Sequence, residues 1–225
     1  MQRKIIKTKD NSKTLLIPEM EETYHSTNGA LTEANHIFIN QGISLHKDVN
    51  ETVNIFEMGL GTGLNAILTY RFSKQHNINT NYFSIEKYPV STEELNILDY
   101  ASLLNFNKEE HDVFNEIHSC NQNIEKELSN NFNFSKTYSD LKDLNLKDNS
   151  INTIYFDAFA PRHQPDLWDE KILKKMFNSL KPNGFLITYC AQGKFKRTLK
   201  SLGFSVKALP GPPGKREITK AIKSL

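Results

Sequence analysis

Residues 54–65 read NIFEMGLGTGLN, an apolar run that leads directly into three glycines with the spacing GxGxG. Glycine at the end of a strand lets the backbone bend sharply and lets a ligand approach the N-terminus of the next helix. A dinucleotide-binding turn has the spacing GxGxxG, and Leu64 stands where its third glycine would be. The spacing therefore favours a cofactor without a pyrophosphate, and a purely structural tight turn is the alternative.

Further apolar runs alternate with segments of helical periodicity on both sides of this turn. The runs are Asn54–Leu60, Asn81–Tyr88, Phe134–Asp140, Thr153–Phe159 and Gly184–Cys190. The helical segments are Leu64–His76, Thr92–Leu104, Asp169–Leu180 and Lys194–Leu202. Continuous apolar runs indicate strands covered on both faces, as parallel sheets require. The alternation predicts a doubly wound α/β domain.

The C-terminal segment modifies this layout. Phe204–Leu209 and Glu217–Ile222 read as two strands joined by PGPPGK, which leaves no room for a helix between them. The last strand should therefore return antiparallel, as in a hairpin. We predict a mostly parallel, seven-stranded Rossmann-like sheet with one antiparallel strand, a layout associated with methyltransferases rather than with nucleotide-linked dehydrogenases.

We expect one structural domain that consists of two consecutive segments. Residues 1–50 form a lead-in with possible short strands at Lys4–Thr8, Thr14–Ile17 and His36–Ile39, and we expect it to cap the mouth of the sheet. Residues 51–225 form the catalytic domain.

An acidic residue stands at the tip of each of three later strands. Glu86, followed by Lys87, can accept hydrogen bonds from both hydroxyls of a ribose. Asp140 can accept from an adenine amino group, and Leu141 can cover the ring. Asp157 should face the reactive end of the cofactor, because ligands bind outside the carboxyl ends of parallel strands. Together with the glycine turn, these acids predict a nucleoside pocket.

The segment after Asp157 shapes the substrate end of the predicted pocket. Phe159 and Pro161 would form a slot, Trp168 would pack in the core rather than stack on a base, and Asp166 would cap the next helix. His25 could contact substrate. His111 and His118, seven apart on a predicted helix, should share a solvent face.

Composition excludes several classes of protein. No apolar stretch of about 18 residues exists, and the N-terminus lacks the apolar core of a secretory signal. The two cysteines, Cys120 and Cys190, have no metal-ligand spacing, so we expect a reduced, cytoplasmic protein without metal. From Lys171 onward there are thirteen Lys and Arg against one acid, Glu217. This basic region is either a solvated face or a phosphate-binding surface.

Five of these segments carry a resemblance. YHSTNGALTEANHIF (24–38), EMGLGTGLN (57–65), FSIEKYP (83–89), FDAFAPRHQPDLW (156–168) and GPPGKREI (211–218) resemble the methyltransferase domain of the MnmC family and of its stand-alone relatives, MnmD. The resemblance spans about Tyr24–Ile218. It implies a class I S-adenosylmethionine-dependent enzyme that methylates the aminomethyl group of a tRNA wobble uridine, converting 5-aminomethyl-2-thiouridine into 5-methylaminomethyl-2-thiouridine.

The resemblance also implies roles for individual residues. The cofactor-binding set is Glu57, Gly59, Gly61, Gly63, Asn65, Glu86, Lys87, Asp140, Leu141 and Asp157, with Asp157 also the catalytic residue that orients the amine. The substrate-binding set begins with Tyr24, His25, Asn28, Phe159 and Pro161. The charge distribution, rather than the resemblance, adds Lys194, Arg197, Lys215 and Arg216, which we predict to contact tRNA phosphates together with Lys196. The expected partner is the anticodon loop of tRNA. We expect no FAD cofactor and no binding to a membrane or to DNA.

Two other functions stay open. A small-molecule amine methyltransferase, or a polyamine synthase-like enzyme on the same fold, would favour an acidic pocket and no basic face. A non-catalytic nucleoside-binding or RNA-binding module would not need Asp157.

Overall fold

The computed structural model describes residues 2–224, and Met1 and Leu225, the outer ends of the two predicted segments, lie outside it. The strands are β1 (Lys4–Lys7), β2 (Lys13–Ile17), β3 (Glu22–Thr23), β4 (Val53–Met58), β5 (Thr80–Glu86), β6 (Lys126–Ser129), β7 (Phe132–Tyr138), β8 (Ile151–Phe156), β9 (Leu180–Thr188), β10 (Phe204–Pro210) and β11 (Glu217–Lys223). The α-helices are α1 (Ala30–Ala34), α2 (Leu64–Gln75), α3 (Thr92–Leu98), α4 (Tyr100–Leu104), α5 (Lys108–Ser119), α6 (Glu170–Ser179) and α7 (Gly193–Ser201).

The main sheet has the strand order β10-β11-β9-β8-β4-β5-β7-β6. Strands β9, β8, β4, β5 and β7 are parallel, and β11 runs antiparallel between β9 and β10. Consecutive residues of β4 bury opposite faces, since Ile55 belongs to the cluster with α2 and α5 and Phe56 to the cluster with α6 and α7. The predicted doubly wound, mostly parallel α/β fold is therefore confirmed.

The strand count differs from the seven predicted. An eighth strand, β6, pairs antiparallel with β7 at the edge of the sheet, so two strands rather than one run against the main direction. Its sequence, KELS, is short and mostly polar, and its first two residues are exposed. An edge strand of this composition carries no hydrophobic periodicity, which is why the sequence did not indicate it.

The structure corrects four local expectations. The run His36–Ile39 is not a strand but part of a π-helical turn, Asn35–Ile39, that continues α1 and buries Ile37, Phe38 and Ile39. The single helix expected over Thr92–Leu104 is broken at Asp99, which has φ 54°. The cap of α6 is Asp169 rather than Asp166, whose carboxylate pairs with Lys142. His118 packs inward instead of sharing a solvent face with His111, because Phe114 and Gly63 enclose its ring.

The lead-in forms a three-stranded sheet of its own, in the order β1-β2-β3, beside the main sheet. Arg3 joins it to the loop after β5 by donating to the Pro89 carbonyl oxygen, and to the first turn of α3 by donating to Glu94. His36 contacts the Pro210 carbonyl oxygen at the end of β10, with Nε2 at 2.8 Å. The lead-in thus spans from the loop after β5 to the hairpin formed by β10 and β11.

Candidate functional site

A cavity of about 630 Å³ opens at the carboxyl ends of the parallel strands, between the main sheet and the lead-in. Five strand ends meet there: those of β4, β5, β7, β8 and β9. The position follows from the fold, because the strand order reverses between β4 and β8 and the adjacent loops separate at that point. The lead-in supplies the opposite wall through residues 22–27.

The glycine turn after β4 forms the floor of this cavity. Gly59 has φ 92°, and a Cβ there would lie 2.7 Å from the Asp157 carbonyl oxygen. Gly61 has φ 52°, and a Cβ there would lie 3.3 Å from the ring of Tyr24. Both positions therefore require glycine for conformation and for space. Gly63 caps α2 but does not line the cavity; it packs against the ring of His118.

Glu86, at the tip of β5, is held in place by the backbone. Its Oε2 accepts a hydrogen bond from the Gly61 amide at 2.9 Å, and its Oε1 accepts from the Tyr88 amide at 2.7 Å. These two bonds tie the second strand end to the glycine turn. The carboxylate lines the cavity where the sequence analysis placed a ribose-binding acid.

Asp140, at the tip of β7, lines the same wall. Its Oδ1 accepts from the Lys142 amide at 3.0 Å, and its Oδ2 accepts from the Lys87 ammonium at 2.9 Å. Both contacts hold the pKa of Asp140 below its usual value, and the hydrogen bond from the Lys142 amide has the larger effect. Leu141 is buried beside it. Lys87 is thus an ion-pair partner of Asp140.

Asp157, directly after β8, lines the cavity and is half-buried. Its Oδ2 accepts a hydrogen bond from Asn65 Nδ2, at the start of α2, at 2.9 Å. Burial raises its pKa to about 7, and the negative charge of Glu33 adds to the shift. A carboxyl group with this pKa changes charge near neutral pH. It can therefore accept a proton or an N–H at physiological pH.

Glu57 and Asn65 occupy different levels of the site. Asn65 lines the cavity, whereas Glu57 does not and lies within β4 beneath it. Glu57 accepts from the Ser84 hydroxyl at 3.0 Å. The geometry therefore gives Glu57 no surface on which to contact a cavity ligand directly.

Of the three candidate residues in the lead-in, two line the cavity and one does not. Tyr24 and His25 line the cavity, and the Tyr24 ring meets that of Phe159 edge-on at 5.1 Å. Burial lowers the pKa of His25 to about 4, so this ring is uncharged near neutral pH. Asn28 lies outside the cavity, where its Oδ1 accepts from Lys9 and its amide packs on Gly214.

The segment after Asp157 forms one side wall. Phe159 lines the cavity, and Pro161 does not. Trp168 is packed in the core, as predicted, among Phe156, Tyr189 and Phe195, and its indole N–H donates to the Phe159 carbonyl oxygen at 2.8 Å.

The C-terminal basic residues separate into two groups. Lys194, Arg197 and Arg216 are exposed and lie outside the cavity. Lys215 points inward, where its ammonium pairs with Glu33 at 2.5 Å and lies 4.1 Å from the centre of the Tyr189 ring. Lys196 pairs with Glu217. Lys215 is therefore part of the cavity wall, rather than an outward-facing phosphate contact.

Glu33 and Tyr189 are two polar cavity residues that sequence reasoning missed. Glu33, in α1, is buried, and its Oε2 accepts from the Ser26 amide at 2.7 Å. Tyr189 directly follows β9, and its hydroxyl donates to the Ala158 carbonyl oxygen at 2.7 Å. Ligands bind outside the carboxyl ends of parallel strands, and this expectation, applied to the end of the run Gly184–Cys190, would have found Tyr189. Glu33 carried no comparable signal, because it lies in the lead-in, outside the strand–helix pattern.

Residues 2–224 contain no group of three or more His, Cys, Asp or Glu side chains arranged to hold a metal ion. None of the helices in this range is both long enough and apolar enough to cross a bilayer.

Comparison with known families gives one direct match. A family model described as "S-adenosyl-L-methionine-dependent methyltransferase" matches residues 105–224, which is more than half of the chain. The match covers the strand ends that carry Asp140 and Asp157.

Curated relatives extend the similarity to most of the chain. The chain is 25% identical over 218 residues to the tRNA 5-methylaminomethyl-2-thiouridine biosynthesis bifunctional protein MnmC of Leptospira interrogans, covering 92% of this chain and 33% of that protein. It is 27% identical over 218 residues to the protein of the same name from Burkholderia mallei, covering 90% of this chain and 33% of the relative. The chain thus spans about one third of the length of these relatives.

Solved structures support the fold. MNMC2 from Aquifex aeolicus aligns with a TM-score of 0.74 at 21% identity, over 98% of this chain and 70% of that one. Spermidine synthase from Thermotoga maritima aligns with a TM-score of 0.58 at 11% identity, over 99% of this chain and 69% of that one.

Proposed function

Because the chain belongs to the S-adenosyl-L-methionine-dependent methyltransferase family, we propose that it methylates the amine of a 5-aminomethyl uridine in tRNA. The acceptor is the wobble position, with or without the 2-thio group, and the product is 5-methylaminomethyl-(2-thio)uridine. The observation that carries the proposal is Asp157, a half-buried carboxyl in the cavity wall that accepts a hydrogen bond from Asn65 and whose pKa is raised to about 7. The names of the relatives, which specify this nucleoside, support the choice of substrate.

The cavity fits the cofactor. Its volume of about 630 Å³ lies within the usual range for small-molecule sites. Gly59 leaves space beside the Asp157 carbonyl oxygen that a Cβ would occupy. In the proposed arrangement Gly59 and Gly61 accommodate the methionine portion, Glu86 binds the ribose hydroxyls and Asp140 faces the adenine amino group. When bound, S-adenosylmethionine supplies an electrophilic methyl group on a sulfonium.

The residues around Asp157 have to present an uncharged amine to that methyl group. A primary alkylamine resembles lysine and is mostly protonated near neutral pH. Partial desolvation in the cavity disfavours the ammonium form. Asp157 accepts an N–H of the amine and thereby directs the nitrogen lone pair away from itself. The reaction forms an N–C bond and breaks the S–C bond, whose electron pair stays on sulfur, and the released proton passes to Asp157 or to water.

Alignment supplies most of the rate enhancement in this scheme. Two reactants held in a productive orientation gain roughly 7–11 kcal/mol over the same reactants free in water. Tyr24 and Phe159, which meet edge-on in the cavity wall, would enclose the uracil ring. An anticodon loop can present such a base unstacked more easily than a duplex can. Residues 1–50 act in this proposal as a cap over the site.

The basic surface that includes Lys194, Arg197 and Arg216 is proposed to bind tRNA phosphates. Its charge is positive and exposed, whereas Lys215 is occupied by Glu33 inside the cavity. In this proposal the reaction takes place in the cytoplasm and uses neither a flavin nor a metal ion. The nucleic acid bound is tRNA and not DNA.

A second candidate is transfer to a small-molecule amine. The acids that line the cavity, Glu33 and Asp157 among them, favour it, because a free polyamine is cationic. The exposed basic surface favours tRNA instead.

The test is methyl transfer from labelled S-adenosylmethionine to tRNA taken from cells that lack this modification, followed by mass analysis of the nucleosides. We expect label only in 5-methylaminomethyl uridine, with free putrescine or spermidine unlabelled. Label in the free amines and none in tRNA would contradict the proposal. Heat-denatured protein is the matched control.

A further inference from the structure

A cluster of polar side chains lies beneath the floor of the cavity, between β4, β5 and α2. Glu57 and Ser84 are completely buried, Tyr82 is 1% exposed and Asn65 is 3% exposed. The Ser84 hydroxyl donates to Glu57 Oε2 at 3.0 Å. The Asn65 amide and the Tyr82 phenol lie close enough to the Glu57 carboxyl to influence its pKa. Asn65 is the member that reaches the cavity, through its bond to Asp157.

Three atoms of this cluster lack partners in the described part of the chain: Glu57 Oε1, Asn65 Oδ1 and the Tyr82 hydroxyl. An unpaired buried polar atom costs about 1–3 kcal/mol. An ionised Glu57 could not relieve the cost at Asn65, since a carboxylate and an amide oxygen both only accept. A proton on Glu57 supplies the missing donor. The Tyr82 O–H can then donate to Glu57, and Glu57 can donate to Asn65 Oδ1.

We propose that Glu57 is a positioning residue that works as an uncharged acid, donating to Asn65 Oδ1 so that the Asn65 N–H stays directed at Asp157. An amide can rotate to exchange its oxygen and nitrogen. A donor at Glu57 fixes Asn65 in the one orientation that presents N–H to the carboxylate. The chain of donors then runs from Tyr82 through Glu57 and Asn65 to Asp157.

The charges around Glu57 favour the neutral form. Burial, and after it the negative charge of Asp157, raise the pKa of Glu57 to about 8, although the neighbouring Asn65, Tyr82 and Ser84 side chains lower it in part. The other titratable groups that face it are phenols, Tyr82 on β5 and Tyr155 on β8, and the pKa of each is also raised by burial. These facing groups supply no positive charge, so only one of the two carboxyls, Glu57 and Asp157, is readily ionised near pH 7.

This inference rests on the proposed function only for the role of Asp157 in holding the amine. The neutral state of Glu57 is a property of the folded chain and can be measured without tRNA or cofactor. The two claims can therefore fail separately.

The first experiment is a pH titration of the whole chain carrying glutamate labelled with ¹³C at the side-chain carboxyl, followed by NMR. We expect one glutamate signal to titrate near pH 8 rather than near 4.5, and to be missing from Glu57→Gln. A spectrum in which every glutamate ionises below pH 6 would overturn the proposal. If Glu57→Gln fails to fold, the wild-type spectrum alone decides between these outcomes.

The second experiment compares Glu57→Gln with Glu57→Ala in methyl transfer. Glutamine keeps an N–H donor for Asn65 and cannot ionise, so we expect kcat at pH 7 within about threefold of wild type. The fall in kcat that we expect above pH 8 in wild type should disappear in Glu57→Gln. Alanine removes the donor, and kcat should drop roughly tenfold with little change in the cofactor KM. Equal loss in both variants would contradict the donor role.

Discussion

Burial favours the neutral form of the Asp157 carboxyl, whereas the proposed chemistry needs its charged form. The fold buries part of the group, while the proposed binding of an amine needs an acceptor. A pKa of about 7 leaves both forms populated in the physiological range. Asn65 favours the charged form through its N–H, and Glu33 opposes it. The residue therefore has the charge behaviour expected of a proton-accepting group in an enzyme site.

Replacing Asp157 with Asn should lower turnover about 10- to 100-fold, the effect of losing a charged hydrogen-bond acceptor. An asparagine must present its oxygen to the Asn65 N–H, which turns its own N–H towards the amine. In wild type, kcat/KM should fall about tenfold per pH unit below pH 7, as Asp157 takes up a proton. Steady-state rates from pH 5 to 9 measure both effects. Near wild-type turnover in Asp157→Asn would remove Asp157 from the mechanism.

The same substitution should stabilise the folded chain at alkaline pH. The pKa of Asp157 rises from 3.8 to about 7 on folding, so its contribution to stability is present below pH 4 and is lost as the pH rises to 7. Above pH 7 this loss is about 4 kcal/mol, and Asp157→Asn should recover much of it. Denaturant unfolding at pH 4 and pH 8 tests this. A difference between wild type and variant that does not grow with pH would show that the carboxyl titrates normally.

At the scale of elements, the cavity exists because five strand ends are joined by backbone contacts. The Gly59 amide donates to the Ile85 carbonyl oxygen at 3.0 Å, which joins β4 to β5. The Asp157 amide donates to the Met58 carbonyl oxygen at 3.1 Å, which joins β8 to β4. The turn after β4 is therefore fixed on both sides, and its conformation depends on glycine.

Gly59→Ala should destabilise the chain by roughly 1–3 kcal/mol and weaken cofactor binding, because it combines a positive φ with a 2.7 Å approach to the Asp157 carbonyl oxygen. Gly193→Ala is the matched control. Gly193 opens α7, and its added Cβ would meet only the flexible end of Arg197, at 3.2 Å. That change should be neutral or slightly stabilising. Thermal unfolding and cofactor titration of both variants provide the comparison, and equal effects would contradict the account of the turn.

The sequence predicted the elements whose hydrophobic pattern is continuous. The runs that became β4, β5, β7, β8 and β9, the C-terminal hairpin and the acids at the strand tips all follow from periodicity and turn residues. The polar edge strand β6 and the π-helical turn at Asn35–Ile39 could not be predicted this way, because edge pairing and tertiary packing determine them. The inward turn of Lys215 depends on Glu33, which is 182 residues away in sequence.

At the scale of the whole molecule, the lead-in and the C-terminal hairpin close over the sheet from opposite ends of the chain. Lys215 pairs with Glu33, and Asn28 packs on Gly214. Gly211 and Gly214 shape the hairpin loop that makes these contacts. The cationic residues that remain exposed nearby, on α7 and at Arg216, are free to meet a polyanion at the edge of the site.

Binding of tRNA should weaken steeply with salt, because phosphate contacts release counterions. Lys194→Ala and Arg197→Ala should each reduce the slope of log K against log salt by about 0.7, the value for one phosphate of a single strand. Lys147→Ala is the control, since Lys147 is exposed and precedes β8, at the amino-terminal ends of the parallel strands and away from the cavity. Filter binding between low and physiological salt measures the slopes. An affinity independent of salt would exclude this surface as the tRNA site.

The most direct test is a crystal structure of the chain with S-adenosylmethionine bound. The account predicts the methionine portion against Gly59 and Gly61, both ribose hydroxyls within hydrogen-bond distance of Glu86, and the sulfonium methyl directed towards Asp157. Cofactor bound away from the glycine turn, or a methyl group facing away from a buried and inaccessible Asp157, would contradict it.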